Sequence, residues 1–275
     1  MSLGTVDRLS AGGRLHRAVN GFFATMRISA AMPVSDTPFR IIGLGLRVLQ
    51  FGVLVGIWRS LPSDRLAASG LTVSALLTYS ALAQAVGPLL NPQTTLTEHI
   101  ANGSLAVRML WPMGVVSQFA SEMLGAIVPV TLVGAAVISG AALLFHVPLT
   151  GAGSPSLFVL SLLLAIVVGL AVDFWFALLT VRLGNGIWFV NAIRAACTSV
   201  ISGALIPLSL MPWHVGRVLQ VLPFAAMASG PLRVYTQSSG AATLLASQAA
   251  WAIVLWSGVV WWAAKSRDKV VGQGG

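Results

Sequence analysis

Two residues of opposite charge stand inside apolar stretches of the sequence, Asp173 and Arg194. A charge at membrane depth costs about 2.5–3.5 kcal/mol on insertion scales, so each such residue needs a partner or a role. Both lie nearly equidistant along the chain from Gly184, which sits in a short polar turn. An antiparallel helical hairpin would place them at the same depth, and we expect an intramembrane ion pair. We favour a pair that fixes hairpin register over a substrate-binding or proton-relay role.

Motifs for familiar catalytic chemistry do not occur in the sequence. The phosphate-binding pattern GxxxxGK[ST] is missing, as are HExxH and GxSxG. The four histidines show no paired ligand spacing, and the seven acidic residues are dispersed along the chain. We therefore predict that the chain is not an enzyme, that it holds no metal and that it binds no cofactor itself. This pattern favours transport.

The composition indicates a membrane protein. Charged residues make up 8% of the chain, against about 25% in soluble domains, and hydrophobic residues make up 56%. The net charge of +9 would suggest nucleic acid in a soluble protein, but the basic residues are scattered among apolar stretches instead of clustered. Lipid is therefore the expected surroundings, and no nucleic-acid partner is expected.

Hydrophobic length predicts an all-α membrane protein with six transmembrane helices in one domain, residues 1–275. A helix crosses the hydrocarbon in about 20 residues. The candidate spans are residues 39–58, 68–90, 116–145, 156–181, 186–207 and 242–264. The longest of them contains Pro129, which removes one backbone hydrogen bond and could kink the helix.

Residues 14–31, before the first span, have a helical pattern of their own. Apolar side chains recur on one face and basic side chains on the other, which is typical of a helix lying on the membrane surface. The apolar face holds Leu15, Val19, Phe22, Phe23 and Met26. We predict an interfacial helix, with a soluble-partner surface as the second interpretation.

The distribution of Lys and Arg between loops predicts the orientation, because cytoplasmic loops carry the excess of basic residues. A cytoplasmic amino terminus puts ten basic residues inside, which are Arg8, Arg14, Arg17, Arg27, Arg40, Arg108, Arg182, Lys265, Arg267 and Lys269. It leaves four outside, which are Arg59, Arg65, Arg217 and Arg233. We therefore predict a multi-pass protein with both termini in the cytoplasm.

Two connecting regions are more than simple loops. Residues 91–113, here loop 91–113, mix polar and apolar residues, and Thr97 could cap a short helix that begins at Glu98 and ends at Gly103. Residues 208–240, here segment 208–240, are too apolar for a solvated loop, and prolines divide them. Irregular backbone at membrane depth persists only where it packs against protein or lines a cavity. A re-entrant helical hairpin before the last span is the predicted structure.

These regions resemble the permease subunits of type-2 ATP-binding-cassette (ABC) exporters, and the resemblance extends over nearly the whole chain. The matching runs in loop 91–113 are Glu98-His99-Ile100-Ala101-Asn102-Gly103 and Leu110-Trp111-Pro112. Those farther on are Ser202-Gly203-Ala204-Leu205-Ile206-Pro207-Leu208, Leu222-Pro223-Phe224 and Pro231-Leu232-Arg233-Val234-Tyr235. Ala101 and Trp111 stand where the family often has arginine, which implies weak coupling or pairing with a second, non-identical permease.

The resemblance implies a six-helix half-transporter of the bacterial cytoplasmic (inner) membrane. It would dimerise with a second copy or a non-identical paralogue, and a separate ABC ATPase subunit would bind ATP and Mg²⁺. The residues that would couple to the ATPase are Glu98, His99, Ile100, Asn102, Gly103, Arg108 and Pro112. Segment 208–240 would shape an extracellular exit, and the exit-region residues are Pro207, Pro212, Pro223, Phe224, Pro231 and Tyr235.

The short loops resemble most the drug and antibiotic exporters, which implies an amphiphilic small molecule as the substrate. Aromatic side chains that suit such a molecule, and that could lie on its path, are Phe51, Trp58, Trp188 and Phe189. Export of a lipid or glycan is one alternative. An ion-coupled secondary transporter is another alternative. It predicts internal repeats and several membrane carboxylates, whereas the sequence shows no evident repeat and Asp173 is the one carboxylate that we find at membrane depth.

Overall fold

The computed structural model describes residues 11–31, 37–62, 71–149, 151, 153–183, 187–212, 214–237 and 240–272. Across these ranges the secondary structure is helical, with no strand. The helices are α1 (Ala11–Ala31), α2 (Thr37–Ser60), α3 (Val73–Ala85), α4 (Gly87–Leu90), α5 (Leu96–Ala101), α6 (Leu105–Met109), α7 (Val115–Leu144), α8 (Pro155–Leu183), α9 (Ile187–Ala196), α10 (Val215–Val221), α11 (Pro223–Met227), α12 (Ser229–Thr236) and α13 (Ala241–Gly272). Arg8, Arg65 and the turn at Gly184 lie outside the described residues.

Four helices are long and apolar enough to cross a membrane. Their apolar stretches are Ile41–Ser60, Val115–Leu144, Pro155–Thr180 and Ala241–Trp262, in α2, α7, α8 and α13. These correspond to the predicted first, third, fourth and sixth spans, and Pro129 lies inside α7. The second and fifth spans correspond to shorter apolar helices, so a total of six crossings stays a prediction.

The predicted second span is broken near its end. Within the described residues it consists of α3, a bend at Val86 and the single turn α4. Pro88 has no backbone N–H and occupies the first turn of α4, where no intrahelical donor is needed. The helix is therefore not continuous to residue 90, because Gly87 and Pro88 restart the chain after the bend, while the span of residues 68–90 itself stays a prediction.

The predicted fifth span also ends early. Regular α-helix stops at Ala196 and continues as a π-helix over Cys197–Ile201. The Ser202 hydroxyl donates to the Thr198 carbonyl, and Gly203 follows with a left-handed φ of +76°. That conformation favours glycine and ends the helix before residue 207, while the span of residues 186–207 itself stays a prediction. Segments of π-helix are rare and occur frequently at functional sites.

Two long helices organise the packing. Helix α8 contacts α13, α12, α11 and α5, and α7 contacts α1, α3 and α2. Gly125 of α7 faces the Met26 carbonyl of α1 without space for a Cβ atom, so the two backbones approach closely. Phe22 of α1 packs on the core, whereas Val19 and Phe23 remain exposed. The interfacial position of α1 stays a prediction.

Candidate functional site

Asp173 of α8 and Arg194 of α9 face each other in the protein interior. The Arg194 Nη1 atom lies 2.8 Å from Asp173 Oδ1, and the two residues are 5% and 1% exposed. The structure thus brings together the two charges that the sequence placed at one depth. Removing either partner would leave an uncompensated buried charge, which is strongly destabilising.

The second carboxylate oxygen of Asp173 holds the start of loop 91–113. Asp173 Oδ2 accepts hydrogen bonds from the Thr94 backbone N–H at 3.0 Å and from the Thr94 hydroxyl at 2.5 Å. Hydrogen bonds to a charged acceptor are roughly twice as strong as those between neutral groups. The carboxylate therefore binds a cation with one oxygen and the loop with the other.

The guanidinium of Arg194 has the same double use. Its Nη2 atom donates to the Pro92 carbonyl at 2.6 Å and to Asn91 Oδ1 at 3.3 Å. We call residues 91–95 the loop head. Both members of the ion pair thus hold the loop head, and neither contact was predicted from the sequence. The signal was weak: an Asn-Pro pair directly after a predicted span indicates a turn, but does not name its partners.

Within loop 91–113, the short helix differs from its prediction. Helix α5 begins at Leu96, two residues before Glu98, and Thr97 is buried inside it instead of capping it. The reason is burial of Leu96, which packs with Phe174 of α8 and pulls the first turn onto the spans. Gly103, with a φ of +68°, follows the helix end, which is close to the predicted stop.

Arg108 is held inside the loop by several neighbours. It forms an ion pair with Glu122 of α7, and its Nη2 atom lies 3.3 Å from His99 Nε2. Its guanidinium also stacks 4.7 Å from the ring centre of Trp111. Arg108 and His99, both predicted to couple to an ATPase, therefore stiffen the loop from within. Ile100 packs partly against the core, and Gly103 is half-buried.

Other loop residues are exposed and make a largely apolar surface. Glu98, Asn102 and Pro112, also predicted to couple, are exposed. Beside them in the chain, large apolar side chains face outward from the loop. They are Val107, Met109, Leu110 and Trp111, with Leu110 83% exposed. We call these four residues the loop patch. Because they lie outside the candidate spans, lipid is not the obvious cover for them.

A cleft of about 190 Å³ opens between α2, α3, the loop head and the π-helix. Its wall mixes amide and hydroxyl groups with apolar groups that range in size from glycine to methionine. The polar wall residues are Gln50, Gln84, Asn91, Thr198, Ser199 and Ser202. Asn91 Nδ2 lies 3.5 Å from Thr198 Oγ1, so the loop head itself forms part of this wall. Ligand pockets typically measure about 300–1,000 Å³, so the cleft is small on its own.

The four aromatic residues proposed for a substrate path separate into two pairs. Phe51 and Trp58 are buried in the core formed by α2, α3 and α7, and the Trp58 indole donates to the Ser80 hydroxyl at 2.8 Å. Trp188 and Phe189 of α9 are 81% and 56% exposed. None of the four lines the cleft. The first pair packs as core residues, and only the second pair is available to another molecule.

Segment 208–240 forms a chain of short helices, as its prolines predicted. Pro223 begins α11, and Pro231 lies in the first turn of α12. Pro207 precedes a single 3-10 turn, Pro212 is exposed before α10, and Phe224 packs partly against α8 and α13. Its re-entrant and extracellular position stays a prediction.

Helices α8, α11 and α13 meet at one buried side chain that sequence reasoning missed. Gln248 of α13 donates to the Ser161 carbonyl at 3.1 Å and to the Ala226 carbonyl at 2.8 Å, and accepts from the Ser161 hydroxyl at 2.8 Å. At the other end of the segment, the Tyr235 ring packs on Phe158 of α8. Both contacts fix segment 208–240 to the spans.

Comparison with known families assigns the chain to a transporter group. Residues 68–267 match the model described as an ABC-2 family transporter protein. The match covers α3 through most of α13, and thus includes the ion pair, loop 91–113 and segment 208–240. No curated protein and no solved structure matches the chain.

The match confirms the resemblance at the level of the family, while the drug-exporter branch stays a prediction. Proteins of this family are membrane subunits, generally not catalytic themselves, and the family implies an ATPase partner. Together with the apolar helices, it indicates a multi-pass membrane protein. The chain belongs to the ABC-2 transporter family and is the membrane component of an ABC transporter.

Proposed function

We propose that this chain is the permease half of an ATP-driven exporter that moves an amphiphilic, drug-like small molecule out of the cell. A separate ATPase would bind ATP and Mg²⁺, and the chain would pair with a second permease, identical or not. The family match supports an ABC mechanism over ion-coupled secondary transport. The observation that carries the proposal is the loop patch, an exposed apolar surface outside the candidate spans.

The loop patch has the chemistry of a docking surface for the ATPase. Interface centres are enriched in aromatic residues and methionine, and their rims are polar. The patch supplies Trp111 and Met109, and the exposed Glu98 and Asn102 would stand at its rim. The Arg108 guanidinium stacks on the Trp111 ring. A displacement of this surface would be transmitted to α8 through the buried Leu96, which packs against that helix.

The cleft supports the substrate class. Its polar and apolar wall suits a molecule with both kinds of surface, whereas a lipid chain would leave the amide groups unpaired. Gln50 and Ser199 at its rim are exposed, so a second permease could complete the site. Trp188 and Phe189 offer further aromatic area at the start of α9. Export of a lipid or glycan is the outcome that would replace this substrate class.

Co-purification from native membranes tests the proposal. The tagged full chain should bring down a soluble ATPase in stoichiometric amount, and its vesicles should export amphiphilic dyes only with ATP. Leu110→Ser in the loop patch should lower ATPase recovery by about tenfold, the effect of one interface anchor. Leu144→Ser is the matched control, because Leu144 is 73% exposed at the opposite end of α7. Recovery of no ATPase with the unaltered chain would overturn the proposal.

A further inference from the structure

The ion pair is arranged to hold more than the α8–α9 register. A buried ion pair also needs hydrogen bonds for its remaining polar atoms, and a pair that only fixed register could take them from its own two helices. Here Asp173 uses one oxygen for Arg194 and the other for Thr94, and Arg194 divides its two terminal nitrogens in the same way. One of the two carboxylate oxygens and one of the two terminal guanidinium nitrogens therefore bind the loop head.

The contacts continue from the loop head to the cleft. Asn91 accepts from Arg194 and lies within hydrogen-bonding reach of Thr198, and both Asn91 and Thr198 line the cleft. The Thr198 hydroxyl also donates to the Arg194 carbonyl at 3.0 Å, one turn back along the same helix. A shift of the loop head would therefore move one wall of the cleft directly and would bear on the opposite wall through Arg194.

We propose that Asp173 and Arg194 are positioning residues that latch the loop head to α8 and α9, so that displacement of loop 91–113 changes access to the cleft. The latch rests on the proposed function, since the ATPase would supply the displacement. Both side chains are almost fully buried, so the pair moves as one unit and does not separate. Thr198 lies in the π-helix, a rare element that occurs frequently at functional sites.

One further atom fits this role. Among the described residues, the buried Arg194 Nε has no hydrogen-bond partner. A buried donor without a partner is costly, and most such groups in proteins are satisfied. In Arg194 it leaves a spare N–H that can donate to a new carbonyl when the loop head moves, so that the guanidinium can change partners without losing its ion pair.

Thiol labelling of the isolated chain measures the latch directly. Cys197 is the single cysteine, so Cys197→Ala gives a background in which Ala83→Cys, at a cleft-wall residue that is 7% exposed, reports on access to the cleft. The full chain is placed in proteoliposomes, and the rate of reaction with a water-soluble maleimide is measured. Thr94→Val, which leaves the ion pair intact, should raise that rate about three- to tenfold, as expected for the loss of one or two hydrogen bonds.

Thr95→Val is the matched control. Thr95 is exposed, and its hydroxyl does not cap the helix that it precedes. This variant should label at the unaltered rate. Equal labelling rates in the Thr94→Val and Thr95→Val proteins would overturn the latch, whatever the fate of the exporter assignment.

Exchange of the two charges distinguishes a pair that holds the loop head from a pair that only fixes the register of α8 and α9. The double variant Asp173→Arg with Arg194→Asp restores an ion pair, but arginine at 173 cannot accept from Thr94, and aspartate at 194 cannot donate to Pro92. We expect it to fold, with a Tm above that of either single variant because the ion pair is restored, yet to label as fast as Thr94→Val. Return of the labelling rate to the parent value would show a register role alone and overturn the latch.

The complex with the ATPase gives the last readout. Thr94→Val should leave ATPase recovery and hydrolysis unchanged but lower the dye exported per ATP by about threefold or more, because a loosened loop transmits less of the displacement. If no ATPase is recovered, the exporter assignment fails, and the labelling comparison still decides the latch on its own.

Discussion

Gly169 of α8 lies against the ring of Pro92 so closely that a Cβ atom at position 169 would stand 2.6 Å from both Cγ and Cδ of the proline. Asp173, one helical turn farther along α8, holds Thr94 of the same loop head. The loop head is thus fixed to α8 by a steric contact and a charged one on the same face. Neither a proline ring nor a helix backbone deforms easily, so this contact leaves no room for an additional atom.

Gly169→Ala should therefore lower stability. A methyl group there must push the loop head away from α8, and overpacking of this kind costs about 1–3 kcal/mol. Gly140→Ala in α7 is the control, because a Cβ atom at Gly140 meets nothing within 4 Å. It should be neutral or stabilising by up to about 1 kcal/mol, as helical Gly→Ala changes are. Thermal unfolding in detergent, followed by tryptophan fluorescence, distinguishes the two.

Tyr79→Phe should be destabilising by about 1 kcal/mol, the usual net value of one hydrogen bond. The Tyr79 hydroxyl donates to the Gly203 carbonyl at 2.6 Å in a buried site, and its loss leaves that carbonyl unsatisfied. The control is Tyr235→Phe, which keeps the ring contact with Phe158. If Tm fell as much in the control as in Tyr79→Phe, the loss of stability could not be assigned to the hydrogen bond between Tyr79 and the Gly203 carbonyl.

Gln248→Leu should lower the unfolding free energy by about 1–3 kcal/mol, since buried groups left without partners cost that much. The substitution removes the amide that joins α8, α11 and α13, and leaves the Ala226 carbonyl without its donor. Thr243→Val on the exposed side of α13 is the matched polar-to-apolar change. Limited proteolysis of segment 208–240 should also become faster in Gln248→Leu, and unchanged cleavage would speak against its role as the anchor of that segment.

Substitution of two tryptophans should affect stability differently, because one is buried and the other is exposed. Trp58→Ala should cost about 3–5 kcal/mol of stability, because the side chain is 4% exposed and fills the core between α2, α3 and α7. Trp188→Ala should change Tm little, since that side chain is 81% exposed. If Trp188 lies on the substrate path, its loss should instead alter dye export. Equal loss of Tm in both variants would refute the division into core and path residues.

The Arg108–Glu122 pair should show energetic coupling. Both side chains are partly buried, 18% and 23% exposed. A double-mutant cycle with Arg108→Gln and Glu122→Gln should give a coupling of about 1 kcal/mol, at the upper end for partly exposed pairs. Arg217→Gln, at an exposed arginine of α10, is the control. Additive effects of Arg108→Gln and Glu122→Gln would mean that the pair does not stiffen loop 91–113.

The sequence by itself determined the membrane class, the long apolar helices and the pairing of the two buried charges. These follow from local quantities: the length of an apolar run, and the number of residues from Asp173 and Arg194 to the turn between them. The prolines of segment 208–240 likewise predicted its division into short helices, because a missing N–H acts where it stands. The family pattern in the two loops could be read in the same local way.

Only the tertiary structure decided what the charges hold. Thr94 and Asp173 are far apart in the chain, and no periodicity links a loop hydroxyl to a carboxylate on another helix. The same holds for Gln248 with Ala226, and for Leu96, whose burial moved the start of α5. Such contacts depend on which surfaces the helices present to each other, and packing decides that after the local rules have been met. For this reason a pair that the sequence offered as a register pin emerges as the anchor of loop 91–113.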